Sequence, residues 1–428
     1  MNGDAMNKNL LAALLGTSFA STALAQSSVQ MYGIADAGVM WQRGSTFKVI
    51  SGGADGSRLG FKGSEDIGSG YKAVFNLEAR IELDTGRQQP TLLNENQGFY
   101  LTRGMGALPP AVLAGVQRAT QPPGGPAVNP ENALFDRTAM VGLVTPYGGL
   151  LFGRMYTPAY EVFAAADAFE VGTGGTWGSI IGGTAGFTAL GADIRSQRAV
   201  QYRIALPNGL GGSLMAAGKG SGYYGRYNKF FGIALTYKAK GWDVGIGHNQ
   251  GFDQQDHRSL MSSIVGGSYT WGDWKFFAGW IKQRNESSVL MADYINGWDA
   301  LIAPQLAPLG PATAGALRNV FVTNIGLNSQ VDATSYQLGL HYRYGPGRII
   351  ASVARQNDHM ASDSDATLYA LGYNYYLSKR TDMYAVVSFI DNKGEAQFSP
   401  ASGGAPGGFT KSPGEDGRAI QLGVRHRF

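Results

Sequence analysis

The 428-residue sequence predicts an all-β fold, a 16-stranded antiparallel transmembrane β-barrel with short periplasmic turns and long external loops. Three observations predict it. Two-faced segments of about ten residues recur along the chain, the length a tilted strand needs to cross a bilayer. Short Gly- and Pro-bearing turns alternate with long connections. The last segment places Ile420, Leu422, Val424, His426 and Phe428 on one face of an extended strand and Gln421, Gly423, Arg425 and Arg427 on the other, as lipid on one side and water on the other require.

Composition agrees. The chain holds 63 Gly, 21 Tyr, 20 Phe and 7 Trp, and it has no Cys, which suits an oxidising compartment. Its mean hydropathy of -0.13 is too polar for a bundle of membrane helices. The formal charge of +4 gives no reason to expect nucleic acid as a partner.

From the amino-terminus, Lys8, the apolar run 10–15 and the small-x-small sequence Ala23-Leu24-Ala25 describe a secretory signal peptide over residues 1–25. The mature chain, 26–428, then starts at Gln26, and Met6 offers a second start. The most apolar later stretch, Ala300 to Ala316, is interrupted by Pro304, Pro308 and Pro311 and reads as a loop.

Seven hairpins bracket the turns 64–70, 145–148, 207–209, 239–241, 271–273, 345–347 and 377–380, giving fourteen strands. The first strand, Val29 to Trp41, and the last, Ala419 to Phe428, bring the total to sixteen, an even number that closes the sheet without edges. The longest connections are 85–133, 156–194, 284–331 and 392–416. A soluble sandwich or solenoid would not require so regular an alternation.

In Tyr71 to Leu83, one face holds Tyr71, Ala73, Phe75, Leu77, Ala79, Ile81 and Leu83, and the other holds Lys72, Val74, Asn76, Glu78, Arg80 and Glu82. The first is assigned to lipid and the second to the lumen, because Arg or Lys on the lipid side at mid-depth costs about 2–4 kcal/mol. Tyr237, Trp280, Tyr373, Tyr375 and Phe389 suit aromatic girdles. Arg154 shares parity with Leu150 and Phe152, so a bulge turns it inward or it meets a carboxylate of a neighbouring subunit, with Glu95 and Glu131 as candidates.

Four blocks carry a family resemblance: Val29-Gln30-Met31-Tyr32-Gly33-Ile34-Ala35-Asp36-Ala37-Gly38-Val39, Ser57-Arg58-Leu59-Gly60-Phe61-Lys62-Gly63-Ser64-Glu65-Asp66, Gly153-Arg154-Met155-Tyr156-Thr157-Pro158 and the terminal Gly423-Val424-Arg425-His426-Arg427-Phe428. Together they resemble the general Gram-negative bacterial porins of the sixteen-stranded trimeric type. The resemblance implies a homotrimer in the outer membrane, among lipid and lipopolysaccharide, with one pore per barrel for small hydrophilic solutes. It implies that loop 156–194 folds inward and presents Glu161, Asp167 and Glu170 to a basic wall, for which inward parity offers Arg58, Lys62, Lys72, Arg80 and Arg203. It also implies that Phe428 is read by the outer-membrane insertion machinery.

An acidic loop facing a basic wall sets up a transverse field in the constriction, and the basic lean of the lumen predicts mild anion selectivity. No catalysis, cofactor or metal is expected. The five His show no metal spacing, and Asp358 and His359, adjacent on a strand, point to opposite faces. A surface adhesin anchored by the barrel and a solute-specific channel are the alternatives. The extended apolar loops 85–133 and 284–331 depart from the family pattern; they pack over the trimer or partly cover the mouth.

Overall fold

A computed structural model describes residues 28–88, 90, 102–119, 129, 133–181, 194–222, 225–404 and 407–428. The signal peptide and the acids Glu95 and Glu131 lie outside the described residues. Seventeen strand segments form one closed antiparallel sheet. They are β1 Ser28–Gln42, β2 Lys48–Ser51, β3 Arg58–Gly68, β4 Tyr71–Arg80, β5 Thr138–Thr145, β6 Gly148–Tyr156, β7 Arg195–Ala205, β8 Leu210–Gly222, β9 Lys229–Ala239, β10 Trp242–Phe252, β11 Arg258–Trp271, β12 Trp274–Arg284, β13 Asp332–Tyr344, β14 Gly347–Asp358, β15 Ala366–Tyr376, β16 Thr381–Asn392 and β17 Gly417–Arg427.

β2 and β3 are two halves of one stave, since both pair with the same edge of β1. The barrel therefore has sixteen staves. It closes where β1 pairs with β17, and Gly33 and Phe428 exchange two backbone hydrogen bonds of 3.1 Å below that ladder.

Alternation decides which face is which. On β17, Ile420, Leu422 and Val424 are exposed on the outside, while Gln421 and Arg425 are buried inside. On β4, Glu78 and Arg80 point inward, as parity predicted. The first turn is tighter than expected. β3 runs to Gly68, leaving Ser69 and Gly70, both at positive φ, as a two-residue hairpin turn that matches strand twist.

The loops depart from the sequence reading more than the strands do. The long connections carry helices, α1 Pro110–Ala119, α2 Pro158–Ala166, α3 Met291–Leu301, α4 Ala303–Leu306 and α5 Pro311–Asn328, the last three covering the stretch Ala300 to Ala316 that reads as a proline-interrupted loop. Pro110, Pro158, Pro304 and Pro311 all fall in first helical turns, where no amide donor is missed and the fixed φ favours the helix. No described helix is long and apolar enough to cross a membrane. We number the external loops in chain order, L1 after β1 to L8 after β16.

Candidate functional site: the lumen and its third loop

L3 leaves β6 at Tyr156 and turns into the barrel instead of away from it. Its helix α2 lies against β9–β12. Ala159, Val162, Phe163, Ala166, Trp177, Ile180 and Ile181 pack on lumen-facing Ala234, Ile264, Ile281, Ala354, Leu368 and Ile390. The lumen face is therefore apolar where the loop covers it. Two glycines let the backbones approach: a Cβ on Gly247 would sit 2.8 Å from Ala159 Cα, and one on Gly339 would sit 2.4 Å from Ala168 Cβ.

Polar contacts then fix L3 around the wall. Asn249 of β10 donates to Thr157 Oγ1 at 2.8 Å and accepts from the Ala159 amide at 3.3 Å. Gln337 of β13 accepts from the Ala168 amide at 3.0 Å, and Trp177 donates to Ser335 Oγ at 2.8 Å. His341 lies 2.6 Å from the Ala168 carbonyl. Gln421 of β17 accepts from the Gly174 amide at 2.9 Å, and the Gly53 carbonyl accepts from the Thr173 amide at 2.7 Å. L3 thus reaches from its root at β6 to the β17–β1 seam, and its described residues leave the wall from β3 through β6 uncovered.

The three predicted loop acids have three different surroundings. Glu161 pairs with Arg203 of β7, which also donates to Gln201 Oε1 at 2.7 Å. Glu170 receives two parallel hydrogen bonds of 2.7 Å from Arg348 of β14. Burial alone would raise the Glu170 carboxyl, but the Arg348 fork reverses that and holds it at about 2.

Asp167 is fully buried. It accepts from the amides of Phe169, Val171 and Trp177, from Thr176 Oγ1 at 2.6 Å and from Gln337 Nε2 at 3.1 Å. Burial raises its carboxyl above the ordinary range despite these bonds. In this arrangement Asp167 ties the L3 tip into a knot.

The predicted wall cations are spread out. Arg58 sits in the uncovered part of the lumen, donating to the Gly56 carbonyl at 2.8 Å, pairing with Asp55 and lying 3.9 Å from Glu78. Lys62 lies below it, its ammonium 4.9 Å from the Tyr32 ring centroid. Lys72 is exposed near the β3–β4 turn, at the periplasmic rim. Arg80 is buried above, bound to Asp136, Glu82 and the Gly404 carbonyl.

Arg154 keeps its outward parity, half-buried near the top of β6. Its Nε donates to the Asp136 carbonyl at 2.5 Å and its Nη1 reaches Gln197 at 3.5 Å. The bulge lies opposite, in β7, where Arg198 has φ 55°.

Sequence reading missed the residues that complete the group around Arg58. Arg137, just before β5, donates to Glu78 Oε1 at 2.6 Å and to Tyr156 OH at 3.2 Å. Arg195, the first residue of β7, donates to the same hydroxyl at 2.6 Å and lies over the Tyr156 ring at 4.3 Å. Tyr156 stacks on Tyr160 with ring centroids 5.3 Å apart. Three guanidinium groups and two carboxylates, Glu78 and Asp55, thus face the opening between the L3 root and the wall. Among the described residues no carboxylate pairs with Arg195, Lys62 or Lys275. The one sequence signal was position, since Arg137 and Arg195 both stand where strands resume after long loops.

A closed barrel with apolar residues outside, a charged lumen and an inward loop is the architecture of a membrane channel. The description of Gram-negative porins matches residues 11–395. The chain belongs to the Gram-negative porin family. Two relatives are an outer membrane porin protein of Bordetella pertussis, 25% identical over 99% of this chain and 100% of its own length, and outer membrane porin protein 32 of Delftia acidovorans, 26% identical over the same shares.

Among solved structures, an anion-selective porin from Comamonas acidovorans matches with a TM-score of 0.64 at 21% identity, covering 94% of this chain and 100% of that one. The trimer form of OmpT, an outer membrane protein of Vibrio cholerae, matches with a TM-score of 0.57 at 14% identity, covering 94% and 99%. As a porin, this chain is a diffusion channel of the outer membrane.

Proposed function

We propose that this porin is a homotrimeric general diffusion channel that prefers small hydrophilic anions. The observation that carries the preference is the imbalance at the uncovered wall. Arg58 and Arg137 pair with Glu78 and Asp55 and Arg195 stands beside them without a carboxylate partner among the described residues, while the L3 acids Glu161 and Glu170 already have Arg203 and Arg348. A low-dielectric wall focuses that excess charge on the solution between wall and loop. That the Comamonas porin is anion-selective and the Vibrio protein has a trimer form supports the same reading.

Planar-bilayer recording tests it. Current should rise in triplets, and in a salt gradient the reversal potential should carry the sign of anion preference. A cation-signed potential overturns the selectivity, and a barrel that inserts but stays silent overturns the channel itself in favour of an anchored adhesin. Steep block by one solute at low concentration would make the channel solute-specific.

In the same reading Arg154 is a subunit contact and Phe428 an assembly signal. The motivation is that Arg154 faces outward near mid-barrel neighbours Leu150 and Phe152, and that Phe428 joins the closing seam at the periplasmic end. Arg154→Ala should lower the temperature at which the trimer dissociates; an unchanged temperature removes the interface role. Deleting Phe428 should leave export across the inner membrane intact and reduce insertion of the barrel.

A further inference from the structure

We infer that the even-numbered external loops form a helical cap over the mouth, which screens solutes by size before they reach the charged opening. The inference rests on the channel reading. L2, between β4 and β5, carries α1, and L6, between β12 and β13, carries α3 to α5. With β2 and β3 counted as one stave, the roots of L2 and L6 are eight staves apart in a barrel of sixteen, on opposite sides of the opening.

The two loops nevertheless share one hydrophobic core. Met105, Leu108 and Val116 of L2 are buried with Tyr294, Trp298, Ile302, Leu306, Phe321 and Ile325 of L6. The Trp298 and Phe321 rings stack with centroids 4.6 Å apart, and Asn328 donates to the Arg103 carbonyl at 2.9 Å across the joint. Loops rooted on opposite walls can share a core only by passing over the lumen.

The other even loops tether the cap at the quadrants between. Phe409 of L8 packs on the same core. Arg226 of L4 pairs with Asp293 of α3 at 3.0 Å. Leu290, just before α3, packs both on the cap core and on the lumen cluster that includes Met155, Tyr227, Phe230 and Leu260, so the cap is seated on the wall at that side.

Among the described residues the odd loops do not join it. L3 folds inward, L5 spans only 253–257 and L7 only 359–365, while L1 returns to the barrel as β2. The inference puts solute entry at the sides, above the short L5 and L7. α3 to α5 carry only Asp293, Asp299 and Arg318, and all three are ion-paired. These helices therefore add bulk over the mouth with their charges paired, which makes them a filter of size rather than sign.

The test compares intact trimers in proteoliposomes and bilayers. Replacing Met291–Leu327 with a short Gly-Ser turn should raise single-channel conductance and increase the permeation of a trisaccharide relative to a pentose severalfold, with the reversal potential unchanged. Trp298→Ala, which leaves the loop in place and loosens its core, should move both readouts the same way by less, and it stands in if the replacement fails to assemble. Assembled trimers of either variant with wild-type conductance and trisaccharide ratio overturn the inference. A wild-type protein that conducts nothing would overturn the channel reading, a different failure.

Discussion

L3 and the cap are both loops that leave the rim and cross the opening on apolar contacts, yet only L3 adds a set of buried directional bonds to the wall. L3 is fixed by polar groups of its own and of five staves, β7, β10, β13, β14 and β17, and its acids have assigned partners. The cap is held by an apolar core, with its ion pairs, Asp293 with Arg226 and Asp299 with Arg318, at the exposed surface. Directional bonds fix position to a fraction of an ångström, whereas apolar packing tolerates small shifts. An element that must hold charges in register beside a pore needs the first kind; one that only fills space can rely on the second. The two should fail independently.

Asp167→Ala should have the largest effect. It leaves three amides, Thr176 and Gln337 without their acceptor in a dry site, at about 1–3 kcal/mol for each group left unpaired, so the L3 tip should come free. Noisy, enlarged open-channel current and new protease cleavage near residue 170 are the expected readouts. Quiet current of normal size would mean that the apolar contacts of Phe163 and Trp177 alone position the loop.

Phe321→Ala in the cap should cost about 3–5 kcal/mol, confined to the cap core. L6 should then become protease-sensitive at a lower temperature while the trimer dissociates at its usual one. If trimer stability falls in parallel, the cap is part of the barrel's cooperative unit and the contrast with L3 is lost.

The strands were legible because each obeys a period of two that the sequence displays directly. β4 and β17 carry their faces as alternating letters, and the hairpin turns are marked by Gly, Pro, Asn and Asp. What covers a face is not written in that face. Ile264, Ile281, Leu368 and Ile390 point into the lumen, where parity alone called for polar residues, because a loop more than seventy residues away in sequence lies on them.

The helices were missed for a related reason. Proline breaks a helix from within but favours its first turn, where Pro304 and Pro311 stand, and the sequence alone does not fix which place a proline holds. Arg137 and Arg195 escaped because a strand's height above the membrane is set by its neighbours' register, so the level at which two strand-starting residues meet Arg58 cannot be read from either strand alone.

Replacing charge at the wall should change selectivity without touching the cap. Arg195→Gln removes a guanidinium that has no carboxylate partner among the described residues. At about 8 Å, with an effective dielectric constant near 40, one charge contributes about 1 kcal/mol, roughly fivefold in local anion concentration. The reversal potential should move clearly toward zero, with the trisaccharide permeation ratio held constant. A change in that ratio instead would mean that Arg195 holds the L3 root through Tyr156 more than it supplies charge.

Lys72→Gln should have the smallest effect, and its salt dependence is the informative part. Lys72 is exposed at the periplasmic rim, where water screens it, whereas Arg195 is buried beside the opening. The screening length is about 30 Å at 0.01 M salt and about 3 Å at 1 M. The substitution should therefore reduce anion preference slightly in dilute salt and leave it unchanged in concentrated salt, while the Arg195 effect should persist in both. Equal salt dependence of the two variants would place both charges in open solution and remove the distinction between the focused wall and the rim.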